Sequence, residues 1–461
     1  MGTTDSSTAG VCVTRRSACS ALLAAGLLAG CGSWSRVGSN SEVKPSETLT
    51  QFLNLPAYYR RVGRLAATDP MPFVGSVTSA AGPGDTTIAI LALSLENRAF
   101  SFQKEGNSFA ARYHVDITFA HPGAAPISVG RDQLVRVPTF LETQRADESV
   151  LFQQVFRLVP GLYHVTVQLR DPTTGNTSSA SVDYTAPAFP AGSTTQPILA
   201  YQVRARAARS DTLSVVINPR GTVAWGGDTL LAYIEGYGLT APTRVPFEVR
   251  TETDSVVYRD SLQFQGGHDV ESQVLRLRPD SMALGELKLV VGQGDRQRET
   301  SALVSFSTAW VVTNFDDMLS LLRYFGHRAA LDSLRKASPA ERPALWRAFY
   351  RSTDPNPSTP ENESLNGYFT RLAIASQRFR EEGIPGWRTD RGEVFITLGE
   401  PDEAYETTPG QVGGRVLRWT YINLRVSLYF VDETNFGRLR LDPQSRADFE
   451  MARGRLERLG Y

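Results

Sequence analysis

Gly386-Trp387-Arg388-Thr389-Asp390-Arg391-Gly392, continuing Glu393-Val394-Phe395-Ile396-Thr397-Leu398-Gly399-Glu400-Pro401-Asp402-Glu403, is the stretch on which the reading of this chain turns. Gly386 frees the backbone so that Trp387 can fold back onto what precedes it, and an indole N–H taken into a core asks for a partner. Thr389 and Asp390 carry side chains that accept backbone N–H bonds at turns and helix starts. The stretch therefore reads as a corner. Val394 to Leu398 reads as a strand by propensity or as a short helix stopped by Gly399. A catalytic reading must recruit Asp390 with Glu400, Asp402 or Glu403 as a carboxylate pair. Asp390, however, stands beside Arg391 in a turn, where carboxylates commonly satisfy backbone donors.

Upstream the period is helical. Asn314 can cap a helix with Asp316 and Asp317 in its first turn, and Met318, Leu321, Leu322 and Phe325 form an apolar stripe ended by Gly326. A second short helix covers Arg328 to Lys336. Ser338-Pro339-Ala340-Glu341 has the form of a capping box leading to Leu345, Trp346 and Phe349, with Pro343 pushing the true start later. Thr359-Pro360 opens the longest helix, with Leu365, Tyr368, Phe369, Leu372, Ala375 and Phe379 on one face, and Gly383 and Pro385 end it. Downstream, Val416 to Ile422, Arg425 to Val431 and Gly437 to Leu441 alternate as three antiparallel strands, and Ser445 to Leu459 is a charged amphipathic helix of a solvated edge.

The corner resembles the signature of the GWxTD-domain family of bacterial lipoproteins. Trp346, the turn Asp354-Pro355-Asn356-Pro357, Ser358-Thr359-Pro360, Glu363, Tyr368, Arg371, Ala375 and Phe379 follow that family's order and gaps over roughly 340 to 442. The resemblance marks Gly386, Trp387, Thr389, Asp390, Arg391, Gly392, Gly399 and Pro401 as signature positions, structural or binding. The string Leu398-Gly399-Glu400-Pro401, then Trp419-Thr420-Tyr421, also looks like the small BamE/SmpA outer-membrane lipoproteins, which have two helices over three strands. That likeness favours a helix over 393 to 398 and transfers no activity.

From about 70 to 309 the pattern has period two, broken by Gly, Pro, Asn and Asp turns about every ten residues. Leu162 to Leu169 points Tyr163, Val165, Val167 and Leu169 one way and His164, Thr166 and Gln168 the other. Pro160-Gly161 before Tyr163 resembles the tyrosine corner of immunoglobulin-like and fibronectin type III-like sandwiches. Composition shifts to a linker at 187 to 200, and a second strand-rich stretch runs from Tyr201 to Thr308. Thr177-Ser178 with Thr185-Ala186 recurs as Thr300-Ser301 with Thr308-Ala309, a hint of duplication.

At the amino end, Arg15-Arg16, the apolar run Ala21 to Ala29 and Leu28-Ala29-Gly30-Cys31 read as a secretory signal ending in a lipobox, with Cys31 lipidated. The run is too short to span a bilayer. Gly32 after the cysteine implies sorting to the outer membrane, periplasmic or surface-facing. Acyl chains at about 0.8 kcal/mol per buried methylene would hold the chain there. Residues 32 to 47 read as a flexible tether reaching roughly 20 Å, and 48 to 64 contain a short helix.

Balanced charge, 48 Lys+Arg against 48 Asp+Glu, steers the chain toward neither nucleic acid nor an anionic surface. All three cysteines lie in the first 31 residues, which excludes disulfides and thiolate metal sites from the body. The histidines, His114, His121, His164, His268 and His327, show no ligand spacing, and no nucleophile, phosphate-loop or zinc motif is present. The sequence thus predicts no catalytic, cofactor or metal residues. It predicts a multidomain chain: signal peptide 1–30; anchor, tether and short helix 31–69; β-sandwich modules 70–188 and 198–310; a helical segment 313–385; and an α+β signature domain 386–461 with a BamE/SmpA-like three-stranded sheet. The expected role is that of a lipid-anchored envelope protein that binds or scaffolds other envelope proteins, with no nucleic acid and no small-molecule substrate. The alternative is an envelope glycan-directed enzyme or glycan-binding protein.

Overall fold

The computed structural model describes residues 34–36, as backbone, and 55–144, 150–225, 227–279, 282, 284–306, 315–359, 362–381, 384–407, 415–432 and 437–459. Cys31, the signal, the tether apart from 34–36, Asn314, Pro360 and Gly383 lie outside them. Among the described residues the chain is mostly β-sheet, in five sheets, with a helical segment toward its carboxyl end. Among the described residues no helix is long and apolar enough to cross a membrane.

The first elements are β1 (Trp34–Arg36), α1 (Leu55–Arg61) and β2 (Leu65–Ala67). The expected helix over 48–64 is described only as α1, and its neighbour β2 joins the first sheet rather than the anchor segment. There follow β3 (Phe73–Ala81), β4 (Thr87–Leu95), β5 (Gln103–Glu105), β6 (Ser108–Ala120), β7 (Ile127–Val137), the single turn α2 (Phe140–Thr143), β8 (Val150–Leu158), β9 (Gly161–Arg170) and β10 (Thr177–Ala186). One sheet runs β2-β3-β4-β8. The other runs β10-β9-β6-β5 with β7 on β6. Alternation decides what faces inward, as predicted for β9: Tyr163, Val165, Val167 and Leu169 are buried with Leu91, Leu93, Phe119 and Phe156 in one core between the sheets. The Tyr163 hydroxyl donates to the Val159 carbonyl at 2.9 Å, four residues upstream, which is the geometry of a tyrosine corner.

The second pair of sheets is built from β11 (Ile198–Arg204), β12 (Ser214–Ile217), β13 (Thr222–Ala224), β14 (Leu230–Leu239), β15 (Thr243–Thr251), β16 (Val256–Phe264), β17 (His268–Leu277), β18 (Gly285–Val291) and β19 (Arg298–Ser305). Their orders are β12-β11-β14-β17 and β13-β19-β18-β15-β16. Strand by strand, β3-β4-β8 and β7-β6-β9-β10 repeat as β11-β14-β17 and β16-β15-β18-β19. The recurring Thr-Ser pairs, Thr177-Ser178 and Thr300-Ser301, sit on the matching last strands, β10 and β19. The duplication is therefore one of topology.

The stretch 187–197 does not behave as its composition suggests. Gly192 N–H donates to the Tyr237 carbonyl at 2.7 Å, Thr195 N–H to Glu235 O at 2.9 Å, and Tyr237 N–H to Ser193 O at 3.0 Å. Phe189 and Thr195 are buried. A Pro/Gly/Ser composition leaves many backbone groups unpaired by regular structure, and here they pair with β14 rather than with water. The two modules also touch directly, with Ile88, Ile90 and Ala92 packed on Ile198, Ala200, Val215, Ile217 and Tyr233.

The helices are α3 (Phe315–Leu321), α4 (Arg328–Lys336), α5 (Arg342–Thr353), α6 (Glu363–Arg378), α7 (Asp390–Leu398) and α8 (Pro443–Leu459), and the last sheet adds β20 (Glu403–Thr407), β21 (Arg415–Tyr421), β22 (Val426–Asp432) and β23 (Arg440–Leu441). Asp316, Asp317 and the Met318, Leu321, Leu322 stripe fall as predicted, with Gly326 at φ 84° after them. Helix α5 starts one residue before Pro343, and Glu341 reaches back to the Ser338 N–H at 2.9 Å. Helix α6 begins three residues beyond Pro360, because Asn362 caps it: the Asn362 Oδ1 accepts from Leu365 N–H at 3.0 Å while its Nδ2 donates to Tyr350 O and Thr353 Oγ1, both at 2.9 Å. At 16 residues α6 is shorter than α8, at 17. Helix α8 also buries Phe449 and Ala452 and is more than a solvated edge.

The final sheet corrects the three-stranded expectation. It has five strands in the order β1-β20-β21-β22-β23, and the strand expected over Gly437–Leu441 is only the two residues of β23. β20 was hidden because all five of its residues are half-buried, which blurs the alternation. β1 pairs antiparallel with β20, Trp34 opposite Thr407 and Arg36 opposite Tyr405, a partner some 370 residues away that no local pattern announces. The chain just after Cys31 thus returns to the carboxyl-terminal sheet, not only to the first module. One apolar core then runs from Leu289 and Phe306 through Trp346 and Phe369 to Trp387, Trp419 and Phe430. The second pair of sheets and the helices share it.

Candidate functional site

The corner is built by close approach. After α6, Gly386–Arg388 forms a single 3-10 turn, and a Cβ on Gly386 would lie 2.0 Å from the Ala375 carbonyl oxygen and 2.9 Å from the Arg380 nitrogen. Gly392 is in turn pressed on Gly386, where a Cβ would stand 2.0 Å from its carbonyl oxygen. Gly386 and Gly392 are therefore spacing residues: neither has a positive φ, and each lets one backbone lie on another.

Between them Trp387 is 2% exposed. Guanidinium groups approach its ring, Arg388 at 4.8 Å and Arg323 at 5.4 Å from the centroid. Thr389 is fully buried and does two jobs. Its hydroxyl donates to Gly386 O at 2.7 Å and accepts from Gly392 N–H at 3.1 Å, capping α7. That settles 393–398 as a helix, ended by Gly399 at φ 84°.

Asp390, in the first turn of α7, faces the positive end of the helix dipole. Its Oδ2 accepts from Leu441 N–H at 2.8 Å, and its Oδ1 lies 3.1 Å from Arg446 Nη2 and 3.9 Å from Arg440 Nη1. Arg446 also holds Glu393 at 2.8 Å. The arginine links α8 to the start of α7. Arg391 turns the other way, over the Phe379 ring and 3.4 Å from the buried Glu381, and burial holds its guanidinium below the usual arginine range. Glu400 receives both bonds from Arg378 Nη1, at 2.8 and 2.7 Å, Asp402 accepts Ile422 N–H at 2.6 Å, and Glu403 opens β20. Asp390, Glu400 and Asp402 thus each serve a different structural partner.

At the carboxyl end of α7 lies a cleft of about 280 Å³. Glu363, Tyr368 and Arg371, three of the positions singled out on α6, line it with His327, Thr397 and Arg453. Arg371 Nε donates to the Ile396 carbonyl at 2.8 Å, satisfying the end of α7. Tyr368 donates to Leu321 O at 2.5 Å and accepts Tyr324 N–H at 3.3 Å, and burial pushes its phenol well above the usual tyrosine range. His327 sits at φ 48°, a left-handed conformation uncommon outside glycine. His164 lies on a strand polar face, as read, and meets Asp183 at 2.8 Å; His114 lies on another, where Asp132 at 2.6 Å, then Asp116 at 3.1 Å, raise it above the usual imidazole range.

Sequence reasoning missed Arg446, Arg323 and Asn362. The first two act from other elements and carry no local signal. Asn362, three residues before Leu365 on the apolar face, was readable as a cap. It also missed the pair Arg206 and Glu235, which no spacing connects.

None of the curated proteins matches the chain. Among solved structures, the crystal structure of the calcium-binding domain CBD12 of CALX1.1 aligns with 12% identity and TM-score 0.14, covering 56% of this chain and 87% of that one. Trypsin-activated alpha-2-macroglobulin from Escherichia coli aligns with 10% identity and TM-score 0.15, over 51% of this chain and 17% of that one. A family model matches from the middle of β18 to Gly437, beyond β22, and so begins well before 340. Over residues 289–437 this chain carries a match to the GWxTD domain, and the corner at Gly386–Gly392 lies within it.

Proposed function

We propose that this chain is a lipid-anchored protein of the cell envelope, held at the outer membrane through Cys31, with a non-catalytic role in binding or scaffolding other envelope proteins. The observation that carries the reading is how the signature spends its polar groups: Thr389, Asp390, Glu393, Glu400 and Asp402 are each committed to backbone or arginine partners that hold elements together. A reacting pair needs groups aimed at a shared space. The paired sheets, with their tyrosine corner and repeated strand order, favour immunoglobulin- or fibronectin type III-like modules. The last unit, with helices against an antiparallel sheet, favours a BamE/SmpA-like arrangement enlarged by β1 and β20. The pairing of β1 with β20, three residues beyond Cys31, supports a picture in which the GWxTD unit itself stands at the membrane surface.

In native membranes, wild type is expected to carry an acyl label and to fractionate with the outer membrane, and Cys31→Ala to appear in the soluble envelope fraction. Unchanged fractionation with no acyl label on wild type rejects the anchor. A photo-crosslinker at Ser364, on the rim of the 280 Å³ cleft, is expected to yield adducts with envelope proteins identified by mass spectrometry. Recovery of glycan adducts alone would move the role to the alternative reading.

A further inference from the structure

A second and larger cleft, about 820 Å³, lies between the two modules, walled by β3, the stretch 187–197 and β19. Its volume is in the range of small-molecule sites. We propose that it binds a small hydroxylated oxyanion, a sugar acid or sugar phosphate of one or two rings.

Three polar groups carry this. Arg64 lines the cleft at 8% exposure; its Nη2 donates to the Ser301 carbonyl at 2.7 Å, and its Nη1 is buried with no acceptor within hydrogen-bond reach among the described residues. Ser76 and Thr78, two apart on one face of β3, line the same cleft, and their hydroxyl oxygens are likewise buried without a partner among the described residues. A buried donor left unmet is costly, and native folds keep few of them. Here three of them belong to residues that wall one cavity.

The guanidinium is also deliberately seated. Gly221 makes room for it, since a Cβ there would fall 2.1 Å from Nη2. The nearby Glu286 carboxylate is taken by Arg61 at 2.5 Å and by the Ser301 hydroxyl at 3.2 Å. Arg296 and Arg298 add positive charge to the lining, and the single carboxylate among its described residues, Asp183, is engaged by His164 at 2.8 Å. A planar guanidinium fork suits carboxylate and phosphate oxygens. Hydroxyl groups that both donate and accept suit a polyol.

Calorimetric titration of the full chain tests this, with a glucuronate disaccharide, glucose 6-phosphate, inorganic phosphate and a neutral disaccharide as probes. One acidic sugar is expected to bind at a single site, with the neutral disaccharide at least about tenfold weaker. Arg64→Met is expected to weaken binding about tenfold or more, as loss of a charged hydrogen bond does. Because Arg64 also supports the joint, the double variant Ser76→Ala/Thr78→Val provides the second arm: affinity should fall several-fold while the melting temperature holds or rises, since two unmet groups have been removed. No binding of either acidic sugar overturns the proposal, as do equal binding of the neutral disaccharide, wild-type affinity in both variants, or inorganic phosphate binding as tightly as the sugars.

Discussion

Arg206→Met is expected to destabilise the chain by about 3–5 kcal/mol, the cost of removing one partner from a buried ion pair. The Glu235 side chain is fully buried and accepts Arg206 Nε and Nη2, both at 2.8 Å, with the hydroxyls of Tyr233 at 2.6 Å and Tyr237 at 2.5 Å. The cluster crosses the joint. Arg206 Nη2 also donates to the Ala81 carbonyl at 2.7 Å, and Ala81 N–H donates to the Tyr237 hydroxyl at 2.9 Å, so both backbone groups at the end of β3 are bound by the second module. Methionine leaves the Glu235 charge with two phenols and no cation. Chemical denaturation should show the loss, and calorimetry should show the modules beginning to unfold separately. Adding Glu235→Gln to Arg206→Met should recover part of the stability, because the stranded charge is gone. A change below about 1 kcal/mol in Arg206→Met would mean that the cluster does not hold the modules together.

Trp387→Ala is expected to cost about 3–5 kcal/mol, the range for truncating a core aromatic. Trp387 is 2% exposed and belongs to the core that joins the second pair of sheets to the last one. A cavity there cannot be closed cheaply, because the neighbouring backbones are already at the contact limit at Gly386 and Gly392. Against a typical stability of about 5–15 kcal/mol the melting temperature should drop by several degrees or more. An exposed recognition tryptophan would leave melting untouched and abolish partner capture.

Much of this fold was legible where the local signal and the tertiary demand agree. The alternation Tyr163, Val165, Val167, Leu169 is what a strand covered on one face requires, and the 328–336 helix follows from its apolar spacing. Thr389 was legible as a cap because capping is a contact between near neighbours. The misses share one cause: the deciding partner is far away in sequence. The stretch 187–197 looked like a linker because its amides pair with β14 instead of a local ladder. β1 and β20 depend on each other across the length of the chain. The corner was legible as a corner, but its glycines are explained by the carbonyls of Ala375 and Gly386 they press against, and Asp390 by Leu441 and Arg446.

The central claim is that the signature is an internal joint and not a displayed surface, and amide hydrogen exchange on the wild-type chain tests it most directly. The N–H groups of Arg388, Thr389, Gly392 and Glu393 are all bonded within the corner, to Pro385 O, Gly386 O, Thr389 Oγ1 and Thr389 O. Peptides spanning 386–398 should therefore exchange as slowly as those of α6, through one shared opening that releases both. Rapid exchange over 386–393 while α6 stays protected would contradict the account and make the corner an exposed binding loop.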